Sequence, residues 1–134
     1  MTARALIHLI STFVVSMTIA SAFSAEPRRM TAEDIAFNLD TLQGATVTVI
    51  DCILFQAQFD RAFCPILTKR GLAGVLNIGY SKDARGSRER AVNSCFRDEP
   101  KQECLVEVTG IVRKSVVGGV IGIDGATIKF RDDR

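Results

Sequence analysis

Alternating apolar and polar residues predict that most of the chain forms β-strands. From residue 45 onward, Val47 and Val49 alternate with threonines, which is the period of a strand with one buried and one solvated face. The same period recurs further along the chain, and turn residues such as Gly71 separate the runs. The sequence therefore predicts five strands, over residues 45–55, 61–67, 74–80, 103–114 and 125–131.

Two segments with a helical period accompany the strands. The first covers residues 31–42 and begins with Thr31 and Asp34, which have the spacing of a capping box. Its apolar residues then follow at intervals of three and four, as on one face of a helix. Residues 83–96 change from the strand period to a helical one and predict a second short helix.

Five strands with one helix between the third and the fourth are the element order of an OB-fold, a small Greek-key barrel. Apolar and glycine positions at OB-fold spacing are Leu42, Gly44, Val47, Val49, Val106, Val108, Gly110, Gly122, Ala126, Ile128 and Phe130. Through these positions the chain resembles small exported bacterial OB-fold proteins over about residues 31–131. The resemblance implies a fold and an exported location but no activity. The expected fold is mainly β with two short helices, a five-stranded OB-fold-like Greek-key barrel.

The N-terminus has the three-part pattern of a secretory signal peptide. Arg4 supplies positive charge, residues 5–25 carry no charged side chain, and Ala20-Ser21-Ala22 matches a cleavage site. A permanent membrane anchor is the alternative, because the apolar run is long enough to span a bilayer. The cleavage motif and the serines and threonines within the run favour removal, and thus a periplasmic or secreted protein. The expected division is a signal peptide at 1–22, a linker at 23–30 and one OB-fold-like domain at 31–134.

Charge and residue types argue against two function classes. The formal net charge is +2 at pH 7, too small for a protein held mainly by phosphate contacts, so nucleic acid is not expected as a partner. His8 is the sole histidine and would leave with the signal peptide, so a Ser/His/Asp or Cys/His catalytic arrangement is not expected. Asp51 on one strand and Glu103 and Glu107 on its partner strand could supply two carboxylates for acid–base catalysis. A solvated strand face explains both glutamates more simply. No enzyme and no cofactor are predicted.

Four cysteines lie in the predicted mature chain, and an even count in an exported protein indicates disulfides. Three pairings are possible. The preferred one joins Cys52 to Cys64 across the turn between the first two strands, and Cys95 to Cys104 at the end of the second helix. A zinc site is the alternative, but zinc ligands usually come in close Cys-x-x-Cys pairs, which are absent, so no metal is predicted.

Residues 113–125, between the last two predicted strands, form a first candidate binding surface. This connection contains more valines and isoleucines than a solvated loop requires, among them Val117, Val120 and Ile121. One interpretation is a hairpin extension folded onto the barrel. The other is a contact for a protein partner or a membrane surface, because exposed apolar patches usually mark contacts.

A basic group and three aromatic residues form a second candidate surface. The basic group consists of Lys82, Arg85, Arg88 and Arg90, with Lys69 and Arg70 nearby in sequence. Interspersed acidic residues favour a solvated helix face, and the alternative is an anion or glycan site. Phe59, Phe63 and Tyr80 on the second and third strands could stack on bases or sugars, or could belong to the core.

Two hypotheses of function follow from the sequence. The first is a non-catalytic exported binding or interaction module of the bacterial cell envelope, with a protein or glycan partner. The second is an OB domain that binds an oligosaccharide or nucleic acid through its second and third strands. Exposed aromatic rings on those strands would favour the second hypothesis.

Overall fold

The structure is a computed structural model that describes residues 26–114 and 120–133. Over these residues the chain is mainly β, with six strands in one open mixed sheet and three short helices. The strands are β1 (Arg28–Met30), β2 (Thr46–Ile53), β3 (Arg61–Thr68), β4 (Gly71–Tyr80), β5 (Leu105–Lys114) and β6 (Ile121–Phe130). The helices are α1 (Ala32–Phe37), α2 (Leu39–Leu42) and α3 (Arg85–Cys95), and one turn of 3-10 helix covers Gln102–Cys104.

The strands follow the order β1-β2-β5-β6-β4-β3, so β2 and β3 are far apart in the sheet although they are consecutive in the chain. The pairs β2/β5, β5/β6 and β3/β4 are antiparallel, whereas β1/β2 and β4/β6 are parallel. Strands β2 to β6 correspond to the five predicted strands, which confirms a mainly β fold. β4 begins at Gly71 and β6 at Ile121, each a few residues before its predicted start.

The expected closed five-stranded barrel is wrong, because the sheet is open and has a sixth strand. Strand β1 lies in the stretch that the sequence assigned to a linker. It pairs with residues 47–49 of β2 and so occupies the backbone edge that a closing strand would need. The expected count of two helices is also wrong. The first predicted helix is interrupted at Asn38, which ends α1 and precedes α2.

The sheet curls until the end of β2 meets β3, and this seam is fastened at two points. The Phe55 N–H donates to the Phe63 carbonyl at 3.0 Å, and the Phe63 N–H donates back to Phe55 at 3.2 Å. Next to this bridge along the chain, a disulfide joins Cys52 to Cys64, with their Cα atoms 5.2 Å apart. Both cysteines are fully buried. The seam is therefore held by one backbone bridge and one covalent bond rather than by a continuous ladder.

Helix α1 packs against both β3 and β2 beside this seam. A capping box starts the helix: the Asp34 N–H donates to the Thr31 hydroxyl, and the Thr31 N–H donates to the Asp34 carboxylate. The Asp51 carboxylate accepts a further hydrogen bond from the Ala32 N–H at 2.8 Å. The register between β2 and β5 shifts between Val49 and Cys52, and this irregularity includes Asp51. The helix then buries Ile35 completely.

Arg90 and a disulfide at the end of the helix help to hold α3 and its following loop in place. The Arg90 guanidinium lies 4.0 Å from the centre of the Phe130 ring and binds Asp132 at 2.7 Å and Asp133 at 2.9 Å. Cys95 at the helix end forms a disulfide with Cys104, whose Cα atom lies 5.9 Å away. The structure thus contains the cysteine pairing preferred from the sequence.

The inner face of the curled sheet carries the core. Its fully buried side chains include Val47, Val49, Leu76, Ile78, Val106, Val108, Val112 and Ile123. Thr48 is the one buried polar residue in the described part of the chain, and its hydroxyl bonds that of Thr109 at 2.8 Å. None of the helices described is long and apolar enough to cross a membrane.

The first prediction concerns the seam. Replacing Cys52 and Cys64 by alanine should lower the free energy of unfolding by about 3 kcal/mol. Without the disulfide, the loop between these residues, whose sequence separation is 12, gains conformational entropy in the unfolded chain. Amide exchange at Phe55 and Phe63 should also accelerate. The matched control replaces Cys95 and Cys104, which close a similar loop of separation 9 away from the seam. Denaturant titration measures the stability of both variants, and hydrogen exchange measures the protection of the Phe55 and Phe63 amides. Equal protection of these two amides in both variants would contradict the prediction.

The second prediction concerns Gly110. A Cβ atom there would lie 2.7 Å from the Asp124 carbonyl oxygen and 2.8 Å from Ile123 Cγ2, so backbone would have to move. Gly110→Ala should therefore destabilise the protein by about 1–3 kcal/mol. Gly86→Ala is the control, because an added Cβ meets nothing within 4 Å and alanine is the better helix former by up to about 1 kcal/mol. Equal melting temperatures for the two variants would contradict the predicted steric clash at Gly110.

Candidate functional site

A groove crosses the outer face of the sheet between β4 and β6. Its volume is about 530 Å³, which is within the range of small-ligand sites in proteins. Strands β4, β5 and β6 supply its walls and floor, and the residue before β6 closes one end. The lining residues are Asn77, Gly79, Arg113, Lys114, Val120, Gly122 and Asp124.

Strand alternation explains why the floor of the groove is bare backbone. Asn77 and Gly79 flank the buried Ile78 on β4, and Gly122 precedes the buried Ile123 on β6, so all three face outward. Asn77 and Gly122 are register partners. A Cβ atom at Gly122 would lie 3.6 Å from the Asn77 carbonyl oxygen, so a larger side chain would fill the groove. Glycines at such strand positions allow a ligand to approach the backbone closely.

The walls of the groove combine hydrogen-bond donors and acceptors with little net charge. The Arg113 guanidinium lies 3.9 Å from the Asp124 carboxylate. The Lys114 ammonium lies 3.6 Å from the Asp40 carboxylate just outside the groove. The Asn77 amide adds two donors and an acceptor. This set can bind hydroxyl groups in several orientations without favouring a strongly charged ligand.

Phe63 provides an aromatic side chain beside the groove. It lies between the buried Ala62 and Cys64 on β3, so its ring is on the outer face, and it is the register partner of Asn77. The Phe63 ring contacts that of Phe55, with centroids 6.0 Å apart and planes tilted by 45°. Phe63 is half-buried, so part of the ring remains accessible to a ligand in the groove.

Phe59 lies away from Phe63, in the turn before β3, and its side chain is 72% exposed. It lines a separate recess of about 440 Å³ together with Val92 and Phe96, and Phe96 is 65% exposed. Phe59 therefore lies outside β3 and does not share a strand face with Phe63.

Tyr80 has the opposite orientation to Phe63, because it follows the inward period of Ile78 and packs against the core. Its hydroxyl is buried and has no hydrogen-bond partner among the described residues. Burial raises the pKa of Tyr80 to about 12, with Arg88 opposing this shift and Asp60 adding to it. The three aromatic residues singled out in the sequence thus do not form one stacking platform.

The basic group on α3 does not form a single positive patch. Arg85 pairs with Glu89 at 3.3 Å along the helix surface. Arg88 is half-buried, and its Nε atom has no hydrogen-bond partner in the described chain. Arg90 binds the two C-terminal aspartates described above. Each arginine therefore has a different environment, and Arg85 and Arg90 are each paired with carboxylates.

The apolar connection between β5 and β6 is described only in part. Val117 lies outside the described residues. Val120 is 41% exposed and lines the groove, whereas Ile121 is half-buried and packs against the core. The described end of this connection thus contributes one side chain to the outer surface and one to the interior.

Glu103 is exposed in the 3-10 turn, whereas the other residues considered for chemistry have structural partners. The four cysteines form the two disulfides, and Asp51 binds the start of α1. The Glu107 carboxylate binds the guanidinium of Arg29. In residues 26–114 and 120–133, no group of three or more His, Cys, Asp or Glu side chains could hold a metal ion.

Sequence reasoning did not identify most of the groove. Asn77, Gly79 and Asp124 alternate with buried residues, which is a signal for an outer face, but only the register of β4 on β6 brings them together. Gly122 was interpreted as a loop residue because the glycines around it obscure the start of β6. On β4, Asn77 and Gly79 interrupt the apolar residues, and this interruption is the signal in the sequence that marks the groove.

The groove on β4 and β6 brings bare backbone and polar side chains together, and Phe63 lies beside it as the register partner of Asn77. No protein-family model, curated protein or solved structure matches this chain. A function can therefore be inferred only from the chemistry of the groove and of its surroundings.

The third prediction concerns Tyr80, the one tyrosine of a chain without tryptophan, whose phenolate absorbance can be followed alone. In the folded protein it should titrate with a midpoint of about 12, against 10.0 for the ordinary side chain. Because folding raises this pKa, its contribution to stability is complete below pH 10 and is lost as the pH rises towards 12. Protein unfolded in guanidinium chloride serves as the control. A midpoint near 10 in the folded protein would contradict the predicted burial.

Proposed function

We propose that the protein is a non-catalytic, exported binding module of the bacterial cell envelope that holds an oligosaccharide on the outer face of β3, β4 and β6. The observation that carries this proposal is the polar groove with a glycine floor beside Phe63. Sugars present hydroxyl groups at their edges and apolar C–H faces. The side chains of Asn77 and Asp124 suit the hydroxyl groups, and an aromatic ring suits the C–H faces.

We further propose that strands β2 to β6 are an incompletely closed OB-fold. The strand order β2-β5-β6-β4-β3, the helix between β4 and β5, and the Phe55–Phe63 bridge between β2 and β3 support this assignment. OB-folds bind oligosaccharides and oligonucleotides on the face of their second and third strands. Here those strands are β3 and β4, which carry Phe63, Asn77 and Gly79.

The charge of the groove favours an oligosaccharide over a nucleic acid. Arg113 lies close to Asp124, and Lys114 lies close to Asp40, so the cations of the groove are largely balanced. Binding to a phosphate backbone draws its affinity from several unbalanced cations that release counterions. The formal net charge of the whole chain, +2, points in the same direction.

Binding rather than hydrolysis fits the residues in the groove. Hydrolysis of a glycosidic bond generally requires two carboxyl groups on either side of the bond. Asp124 is the one carboxylate among the residues that line the groove. Export is supported by the signal-peptide pattern and by the two disulfides, which persist in oxidising compartments.

The fourth prediction tests this function with a panel of cello-, chito-, malto- and uronate-containing oligosaccharides and with oligo-dT. At least one oligosaccharide should bind, and Gly122→Val should weaken its binding by about tenfold or more because the side chain fills the groove. Thr127→Val is the matched control, since it places the same side chain on the exposed face of β6 outside the groove. Isothermal titration calorimetry gives both affinities.

Two results would contradict the proposal. The first is equal binding of the two variants to the selected oligosaccharide, which would place the ligand elsewhere. The second is tighter binding of oligo-dT than of any oligosaccharide, which would favour the nucleic-acid alternative.

A further inference from the structure

We infer that a second site, a cleft on the outer face lined by residues of β1, β2, β5 and β6, binds an amphiphile with one anionic head group. The cleft has a volume of about 330 Å³. Its lining combines apolar and charged side chains, namely Arg29, Ile50, Leu105, Val106, Glu107, Lys129, Phe130 and Arg131. This site is independent of the proposed oligosaccharide groove.

The positions of the two sites on β5 show that they are separate. Glu107 lines the cleft and Arg113 lines the groove, and six residues of extended strand span about 20 Å. A row of three cross-strand threonines, Thr48, Thr109 and Thr127, lies between them on β2, β5 and β6. A small ligand cannot occupy both sites.

Charge complementarity identifies the head group of the ligand. Three cationic side chains and one carboxylate line the cleft, and that carboxylate, Glu107, is already bound by Arg29. Lys129 and Arg131 therefore leave positive charge in excess. The next two residues, Asp132 and Asp133, both bind Arg90 on α3, and these three side chains together carry one net negative charge, so the excess at the cleft is reduced to one positive charge. A carboxylate or phosphate head group would be attracted to this excess.

The apolar part of the cleft identifies the rest of the ligand. Ile50 is 38% exposed, because it follows the inward-facing Val49 on β2 and so lies on the outer face next to the cleft. Leu105 is half-buried and adds to the same apolar wall. A volume of about 330 Å³ is at the lower limit for ligand sites, so it accommodates one alkyl chain or one ring rather than a polymer.

Decanoate at pH 7 is the test ligand, used below its micelle concentration with the full mature protein. Decanol and decyltrimethylammonium, which keep the chain and change the head charge, are the comparison ligands. We expect decanoate to bind at least about tenfold more tightly than either, because neither comparison ligand offers an anionic acceptor for charge-assisted hydrogen bonds from Lys129 and Arg131. Shortening the acid by one methylene should weaken binding about fourfold. Backbone amide shifts of Leu105 and Lys129 in NMR spectra locate the bound ligand.

Two pairs of variants separate this site from general surface charge. Lys129→Gln with Arg131→Gln should weaken decanoate binding about tenfold or more. The matched control is Lys69→Gln with Arg70→Gln, which removes the same charge at the β3–β4 turn and should bind as the unaltered protein does. Ile50→Ser should weaken decanoate while leaving the preference for an anionic head intact.

Vesicles distinguish the two sources of such a ligand. Sedimentation with phosphatidylglycerol vesicles but not with phosphatidylcholine vesicles, reversed by decanoate, would support a membrane lipid. Decanoate binding without sedimentation would support a free amphiphile. Absence of decanoate binding, equal affinity for the three head groups, or equal loss in the two charge variants would overturn the inference. None of these results depends on oligosaccharide binding, because the cleft and the groove have no lining residue in common. The Gly122→Val variant, which fills the groove, should therefore bind decanoate as the unaltered protein does.

Discussion

The fold depends on bringing β2 and β3 together although the sheet order separates them by three other strands. Strand β1 already occupies the edge of residues 47–49, so an ordinary ladder can form between β2 and β3 only beyond that point. The disulfide between Cys52 and Cys64 and the Phe55–Phe63 bridge supply the contact there. A covalent link is well suited to a seam with few hydrogen bonds, because its effect comes largely from restricting the unfolded chain. With the seam fastened, the inner faces of all the strands enclose one core.

The irregular stretch at Val49–Cys52 links this closure to the start of α1. A bulge adds a residue to one strand and changes which face its neighbours occupy. Here it allows Asp51 to bind the first N–H of α1, the helix that packs against β2 and β3 at the seam. It also returns Cys52 to the core, where plain alternation from Val49 would have placed Asp51. One local deviation in β2 thus contributes to the seam and to a helix cap.

The sequence predicted the strands with long alternating runs well, because burial of one face imposes a period of two whatever the neighbouring strand is. It did not predict β1, since Arg28–Met30 is too short to show a period and is defined by its partner β2. The start of β6 was missed because glycines interrupt the apolar pattern before Ile123. The cysteine pairing preferred from chain separation occurs in the structure. The groove was not predicted because it depends on the register of Asn77 with Gly122, which local patterns do not encode.

The distribution of charge over the outer face is as informative as its shape. In the groove, Arg113 and Asp124 lie close together, whereas in the cleft the carboxylate of Glu107 is taken up by Arg29 and the remaining cations are in excess. Charges separated by about 20 Å are screened from each other at physiological ionic strength, where the Debye length is about 8 Å. We therefore propose that each site selects its ligand by its own local charge rather than by the small net charge of the chain. Because both sites lie on one hydrogen-bonded sheet, the two proposed ligands would be held at a fixed separation.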